Sequence, residues 1–349
     1  MENVAFVWSE EFLNYKFGDW HPFKPIRELK TKEILKELNI LKLISIENEG
    51  EEILKLAHTE DYINFVKEAS KRGNGFLDYG DTPATKGIYE ASLARVSATI
   101  KAIKLVHNGN VNHAQNVGGG LHHAKESSAA GFCVFNDVAI GARYLTNELG
   151  YERVAIIDVD GHHADGTQSI LYNDKRVLKI SLHQYYPGFY PGTGDLYEYG
   201  EGEGEGYTLN VPLPPYTADD AYLYAFNEVV VPSLLRYKPQ FIIVQFGGDS
   251  HYGDLLVDLQ LSSHGYMEVL KKIHSIAHEI SNGKLVLLGG GGYNYDATAR
   301  TWALGYMELA GINNIPTNIH DETTTFTNNN IYNKVKETVS KIKEIHNID

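Results

Sequence analysis

The stretch Ile156-Ile157-Asp158-Val159-Asp160-Gly161-His162-His163-Ala164-Asp165-Gly166 decides how this chain is read. An apolar run ends in three acids and two imidazoles within eight residues. Side chains alternate faces along an extended strand, so Asp158, Asp160 and His162 are expected on one side. A carboxylate and an imidazole presented together at a strand end make a good chelate for a divalent cation. A plain solvated turn needs neither paired histidines nor an acid beneath an apolar run.

Three further stretches have related character. Gly118-Gly119-Gly120-Leu121-His122-His123-Ala124 sets a second histidine pair behind a glycine run. The apolar run Phe241-Ile242-Ile243-Val244 leads into Phe246-Gly247-Gly248-Asp249-Ser250-His251-Tyr252-Gly253-Asp254. Leu285-Val286-Leu287-Leu288 leads into Gly289-Gly290-Gly291-Gly292-Tyr293-Asn294. In open α/β sheets the site lies beyond the carboxyl ends of the strands, so these segments are expected to converge.

The rest of the chain agrees with that architecture. Short Val- and Ile-rich runs at Val4–Val7, Arg153–Val159, Val177–Leu182, Gln240–Phe246 and Lys284–Leu288 read as strands. Helical patterns cover Thr31–Leu41, His58–Ala69, Ala84–His107, Asn136–Leu149, Ala218–Arg236, Ser262–Ile280 and Asn330–Ile345. The alternation predicts one domain over residues 1–349, with a central, mostly parallel sheet flanked by helices on both faces. The repeat Gly200-Glu201-Gly202-Glu203-Gly204-Glu205-Gly206 does not join a strand to a helix, so it is read as a mobile acidic loop and not a nucleotide-binding turn.

Composition narrows the function. A chain of 349 residues with 43% hydrophobic and 22% charged residues can build a large core without staples. A net charge of −14 argues against nucleic acid as a partner. The single cysteine, Cys133, excludes an intrachain disulfide and a cysteine-rich zinc site. No leader peptide and no membrane-length apolar run are visible, so no membrane association and a cytoplasmic location are expected.

At this point the ordered motifs resemble a known family. They are Gly119-Gly120-Leu121-His122-His123-Ala124, Gly131-Phe132-Cys133-Val134-Phe135-Asn136-Asp137, Asp158 to Gly166, Pro187-Gly188-Phe189-Tyr190-Pro191-Gly192-Thr193-Gly194, Gly248-Asp249-Ser250 and Gly289 to Asn294. The set is similar to the zinc-dependent histone deacetylases, with the acetoin-utilisation-type proteins and acetylpolyamine amidohydrolases as relatives. It runs from about His21 to Gly311. The resemblance implies the arginase/deacetylase fold and one catalytic zinc ion, with iron(II) or cobalt(II) also acceptable to such ligands.

Carried over by position, the resemblance implies Asp160, His162 and Asp249 as metal ligands. It makes His122 and His123 the catalytic pair, backed by Asp158 and Asp165, and Tyr293 the donor to the substrate carbonyl. Gly131, Phe132, Phe189, Tyr190 and Gly291 would line the substrate tunnel, with Asp81 at its rim. Arg27 and Cys133 would belong to an internal cavity below the metal. A structural potassium ion would be held by Asp158, Asp160, His162, Ser181 and Leu182, and a second by backbone oxygens near Leu171, Asp174, Val177 and Tyr207.

These residue types suit amide hydrolysis. A bound cation acidifies water and polarises a carbonyl. Histidines shuttle the protons, and a carboxylate behind each fixes its orientation. His123 is assigned as the main acid and base, with His122 as its electrostatic partner. The expected substrate is an acylated lysine in a protein, or alternatively a small acetylated amine such as an acetylpolyamine. A binuclear ureohydrolase would need further bridging carboxylates where His122, His123 and Tyr293 stand. A non-catalytic acyl-lysine binder would have lost a ligand or Tyr293, and neither is lost.

Overall fold

Eight short strands, each almost wholly buried except at one edge, assemble into a single sheet in the computed structural model, which describes residues 2–349. They are β1 (Val4–Trp8), β2 (Leu43–Ser45), β3 (His113–Asn116), β4 (Val154–Asp158), β5 (Val177–Gln184), β6 (Thr208–Leu213), β7 (Phe241–Gln245) and β8 (Leu285–Leu288). Their order is β2-β1-β3-β8-β7-β4-β5-β6, and every pairing is parallel. The expected mixture is thus a uniformly parallel sheet. Burial on both faces explains why β4, β7 and β8 read as continuous apolar runs and not as alternating ones.

The connectivity positions the site. The chain builds β1 to β3, jumps to β4 and extends outward to β6. It then returns to lay β7 and β8 in the gap between β3 and β4. The four strands β3, β8, β7 and β4 are therefore adjacent, and all point the same way. The loops leaving their carboxyl ends are the four chemistry-bearing stretches.

Several boundaries differ from the sequence reading. The long helix expected from Ala84 begins at Ile88, because Gly87 takes a left-handed φ of 82° as its N-cap. The helix expected over Asn136–Leu149 runs Asp137–Arg143 and continues as a π turn over Tyr144–Glu148. The Asn136 side chain caps it by accepting from Ala139 N. The helix expected over Ala218–Arg236 is likewise interrupted by a π turn at Phe226–Val230. The helix Tyr295–Leu309 and the strands β2, β3 and β6 had no counterpart in the sequence reading.

The acidic repeat is folded. Gly202–Gly204 makes a 3-10 turn, Gly206 N donates to Tyr199 O, and Gly204 is buried. Among the described residues no helix is long and apolar enough to cross a membrane.

Candidate active site

Asp158 is the last residue of β4, and its chain turns so that Asp160 N donates back to Asp158 Oδ1 and His162 N to Asp160 Oδ1. Asp249 arrives from the end of β7 and accepts from Gly161 N at 2.7 Å. These contacts bring one ligating atom each from Asp160, His162 and Asp249 within 4.8 Å of one another, all buried. His162 Nδ1 lies 2.9 Å from Asp249 Oδ2 and 3.5 Å from Asp160 Oδ1. One imidazole nitrogen and two carboxylates, buried and convergent, fit a divalent cation with positions left for water and substrate. His163, next in sequence, faces away and bonds Thr193 and Gln168.

The two histidines behind the glycine run sit beside this set. His122 Nδ1 is 2.8 Å from Asp158 Oδ2, and His123 Nδ1 is 2.6 Å from Asp165 Oδ1. Their Nε2 atoms are 3.1 Å apart. The pairs are electrostatically unequal. Burial opposes charge on His122, but Asp158 and Asp160 outweigh it and push that histidine up to about 9. Burial and the charge of His122 together press His123 down to about 4, despite Asp165. Asp165 is held well below the usual carboxylate range by His123 and Lys125, against its burial.

Tyr293 is buried on the turn after β8, and its backbone N donates to Asp254 Oδ2 at 2.7 Å. Burial first, then Asp249, raises its hydroxyl well above the ordinary tyrosine value, so it stays protonated and able to donate. Gly291 N donates to Asp160 Oδ2 at 2.7 Å. A Cβ there would strike the carboxylates of Asp249 and Asp160, so glycine is required where this turn passes the two acids.

A cleft of about 290 Å³ reaches the centre. Phe132, Phe189, Tyr190 and Leu256 wall it, His123, His162 and Tyr293 close its foot, and Asp81 stands among its lining residues. The Phe189 ring stacks on His162, 8° from parallel at 5.1 Å. Gly131 and Phe132 both take left-handed backbone, with φ of 53° and 67°. That conformation is costly for phenylalanine. It is held by Phe132 N donating to Thr82 Oγ1 and Tyr15 Oη donating to Phe132 O. Asp81 is raised to about 6 by burial and by Asp78.

Beneath the cleft a much smaller cavity, about 10 Å³, is lined by Cys133, His122, Gly290, Asp160 and His162 among others. Arg27 is not among the cavity's lining residues. It is spent on packing, stacked on Phe23 and Trp302 and donating to Gly292 O.

Sequence reasoning missed four contributors. Gln245, at the end of β7, donates to Asp160 Oδ2 at 3.0 Å. Asp254 anchors the Tyr293 turn. Lys125 pairs with Asp165, and Thr82 ties the Asp81 rim to Phe132. A polar glutamine closing an apolar run was the only signal among them. His251 is buried and bound to Asp321 Oδ2 at 2.8 Å, so it braces the Asp249 loop and is not one of the convergent donors.

The two potassium expectations fare differently. Asp158 and Ser181 are direct neighbours across β4 and β5, which suits a shared monovalent ion. At the second position Lys179 Nζ already donates to Leu171 O at 2.8 Å and Asp174 O at 3.3 Å. The buried Lys179 amine, which burial lowers to about 7, stands on two of the oxygens expected to hold the ion, so those residues do not fit potassium.

Residues 21–309 match the model of the histone deacetylase domain. The chain belongs to the histone deacetylase family. It is 36% identical to the acetoin utilization protein AcuC of Bacillus subtilis over 323 residues, covering 89% of this chain and 83% of that one. It is 35% identical to a probable deacetylase of Archaeoglobus fulgidus, covering 98% and 97%. The crystal structure of a histone deacetylase homologue from Aquifex aeolicus superposes with a TM-score of 0.85 at 29% identity, covering 98% and 100%. The arginase/deacetylase architecture expected of a histone deacetylase relative is the one this chain adopts.

Proposed function

We propose that this chain is a metal-dependent deacetylase that hydrolyses the amide of an acylated lysine. The observation that carries the reading is the meeting of three groups at the foot of one narrow cleft. These are the Asp160, His162 and Asp249 donors, two histidine–aspartate pairs and a protonated buried tyrosine.

A divalent cation at Asp160, His162 and Asp249, zinc in the first instance, would acidify a water and polarise the substrate carbonyl. The aromatic walls Phe132, Phe189 and Tyr190 sheath an alkyl stem and exclude bulk water from the amide. His123, neutral at working pH and open to the cleft, accepts the proton of the attacking water at Nε2 and returns it to the leaving amine. His122, confined to the deeper cavity and held cationic by Asp158, supplies positive charge to the developing anion. Tyr293 Oη donates to the carbonyl oxygen as it gains charge. Asp81 accepts backbone amides of a substrate at the rim. One structural potassium ion between Asp158, Asp160, His162, Ser181 and Leu182 would buttress the ligand loop.

The test is a substrate panel on one metal-analysed sample: acetyl-lysine peptides, longer acyl-lysine peptides and acetylpolyamines. Peptide turnover well above polyamine turnover supports the reading. Preference for the polyamine assigns the small-amine reading, and no turnover on any acyl amide by metal-loaded protein refutes both.

A further inference from the structure

A second convergence of metal-ligating groups lies at the other end of the sheet. His113 is the first residue of β3, in register with Val4 of β1 and Leu285 of β8. Glu2 precedes β1. His274 and His278 are four residues apart on the helix Ser263–Ile280, which puts them on one face. Ligating atoms from Glu2, His113, His274 and His278 all lie within 4.8 Å of one another. The catalytic loops leave the carboxyl ends of the same strands, and none of these four residues lines the catalytic cleft or the cavity beneath it.

The detailed geometry is that of a coordination shell. His274 Nε2 is 3.0 Å from His113 Nε2 and 3.1 Å from His278 Nε2. Glu2 reaches His113 Nε2 through Oε2 at 2.8 Å and His278 Nε2 through Oε1 at 3.1 Å. Tetrahedral zinc with bonds near 2.0–2.1 Å sets its nitrogens about 3.3 Å apart. The other ring nitrogen of His274 lies 3.2 Å from Glu308 Oε1. A carboxylate can only accept, so the proton sits on Nδ1 and the lone pair of Nε2 points into the cluster. That is the tautomer a carboxylate behind a metal-bound histidine enforces.

We propose that Glu2, His113, His274 and His278 form a second, structural zinc site, separate from the catalytic centre. Four protein ligands close the shell and leave no position for chemistry. The ion would tie the segment before β1, the start of β3 and the helix Ser263–Ile280 together at the amino-terminal end of the sheet.

The test uses tag-free full-length protein loaded with zinc or cobalt and then desalted. Wild type should hold about two equivalents and His278→Ala about one, with acetyl-amide turnover unchanged. Asp249→Ala should keep about one equivalent and, with cobalt, show the intense visible bands of a tetrahedral ion. Adding His278→Ala or Glu2→Gln to Asp249→Ala should abolish those bands and the rise in melting temperature on adding zinc. His278 is partly exposed, so its replacement leaves the core intact. The proposal is overturned if Asp249→Ala holds no ion, if its ion survives both added substitutions, or if wild type and His278→Ala hold equal amounts. Loss of turnover alone bears on the catalytic reading and not on this site.

Discussion

Gln245 Nε2 donates to Asp160 Oδ2 at 3.0 Å, joining the last residue of β7 to a carboxylate presented by β4. The same oxygen accepts from Gly291 N after β8, so three adjacent strands fix one carboxylate. Partners of this kind orient metal ligands, and their loss costs about 10–100-fold in affinity. Gln245→Leu should therefore weaken catalytic-site metal binding by about that factor while the fold persists. Competition against a chelator of known affinity measures it, and an unchanged constant removes Gln245 from the site.

Tyr293→Phe should lower turnover by about two to three orders of magnitude, the scale of losing one oxyanion donor. Binding of a hydroxamate, which chelates the ion directly, should weaken far less. Near-normal turnover in this variant would remove the tyrosine from the mechanism.

The two histidines should respond differently to pH. His123 is depressed to about 4 by burial and by the charge of His122, so it stays neutral and basic through the neutral range. His122 is raised to about 9 and loses its charge as pH climbs through that value. Turnover should therefore be bell-shaped, with His123 on the acid limb and His122 on the alkaline limb. His123→Ala should be the more damaging change. His122→Ala should move the acid limb to higher pH, because the charge depressing His123 is gone. If His122→Ala is the more crippled, the roles are reversed.

Metal uptake should be coupled to proton release. In the metal-free site burial opposes charge on His162, but Asp160 and Asp249 hold it up to about 10, so it carries a proton at neutral pH. A metal ligand must be deprotonated, so affinity should rise with pH, about tenfold per unit for each proton released. Calorimetry in buffers of different ionisation enthalpy counts that proton, and a pH-independent affinity would contradict the ligand assignment.

Lys179→Met should cost about 1–3 kcal/mol, because the carbonyls of Leu171 and Asp174 lose a buried donor. The variant should gain more in melting temperature from potassium over sodium than the wild type does, as an ion enters the position the lysine held. An equal gain in the two proteins would show that the lysine merely fills space.

The ligand strand was legible because β4 combines an unbroken apolar run with acids placed two apart, a pattern with few other uses. β3 was not, because His113, Gln115 and Asn116 are polar yet buried. Their needs are met only in the fold: Gln115 donates to Trp302 O, and Asn116 donates to Arg95 O and Thr99 Oγ1. The same cause hid the histidine cluster, whose members lie more than 270 residues apart from Glu2 to His278. Lys179 read as one polar residue in a strand, and only the packing of Leu171 and Asp174 against β5 gives it a task. The surroundings of Arg27, packed on Phe23 and Trp302, were not legible either, since the shape of a cavity is set by tertiary packing that no motif encodes.

The most direct test is Asp249→Ala, with metal content and acetyl-lysine peptide turnover measured on the same preparation beside the wild type. The variant should lose one equivalent of metal, and turnover should vanish with it. Wild-type metal content together with normal turnover would contradict the assignment of Asp160, His162 and Asp249 as the catalytic centre.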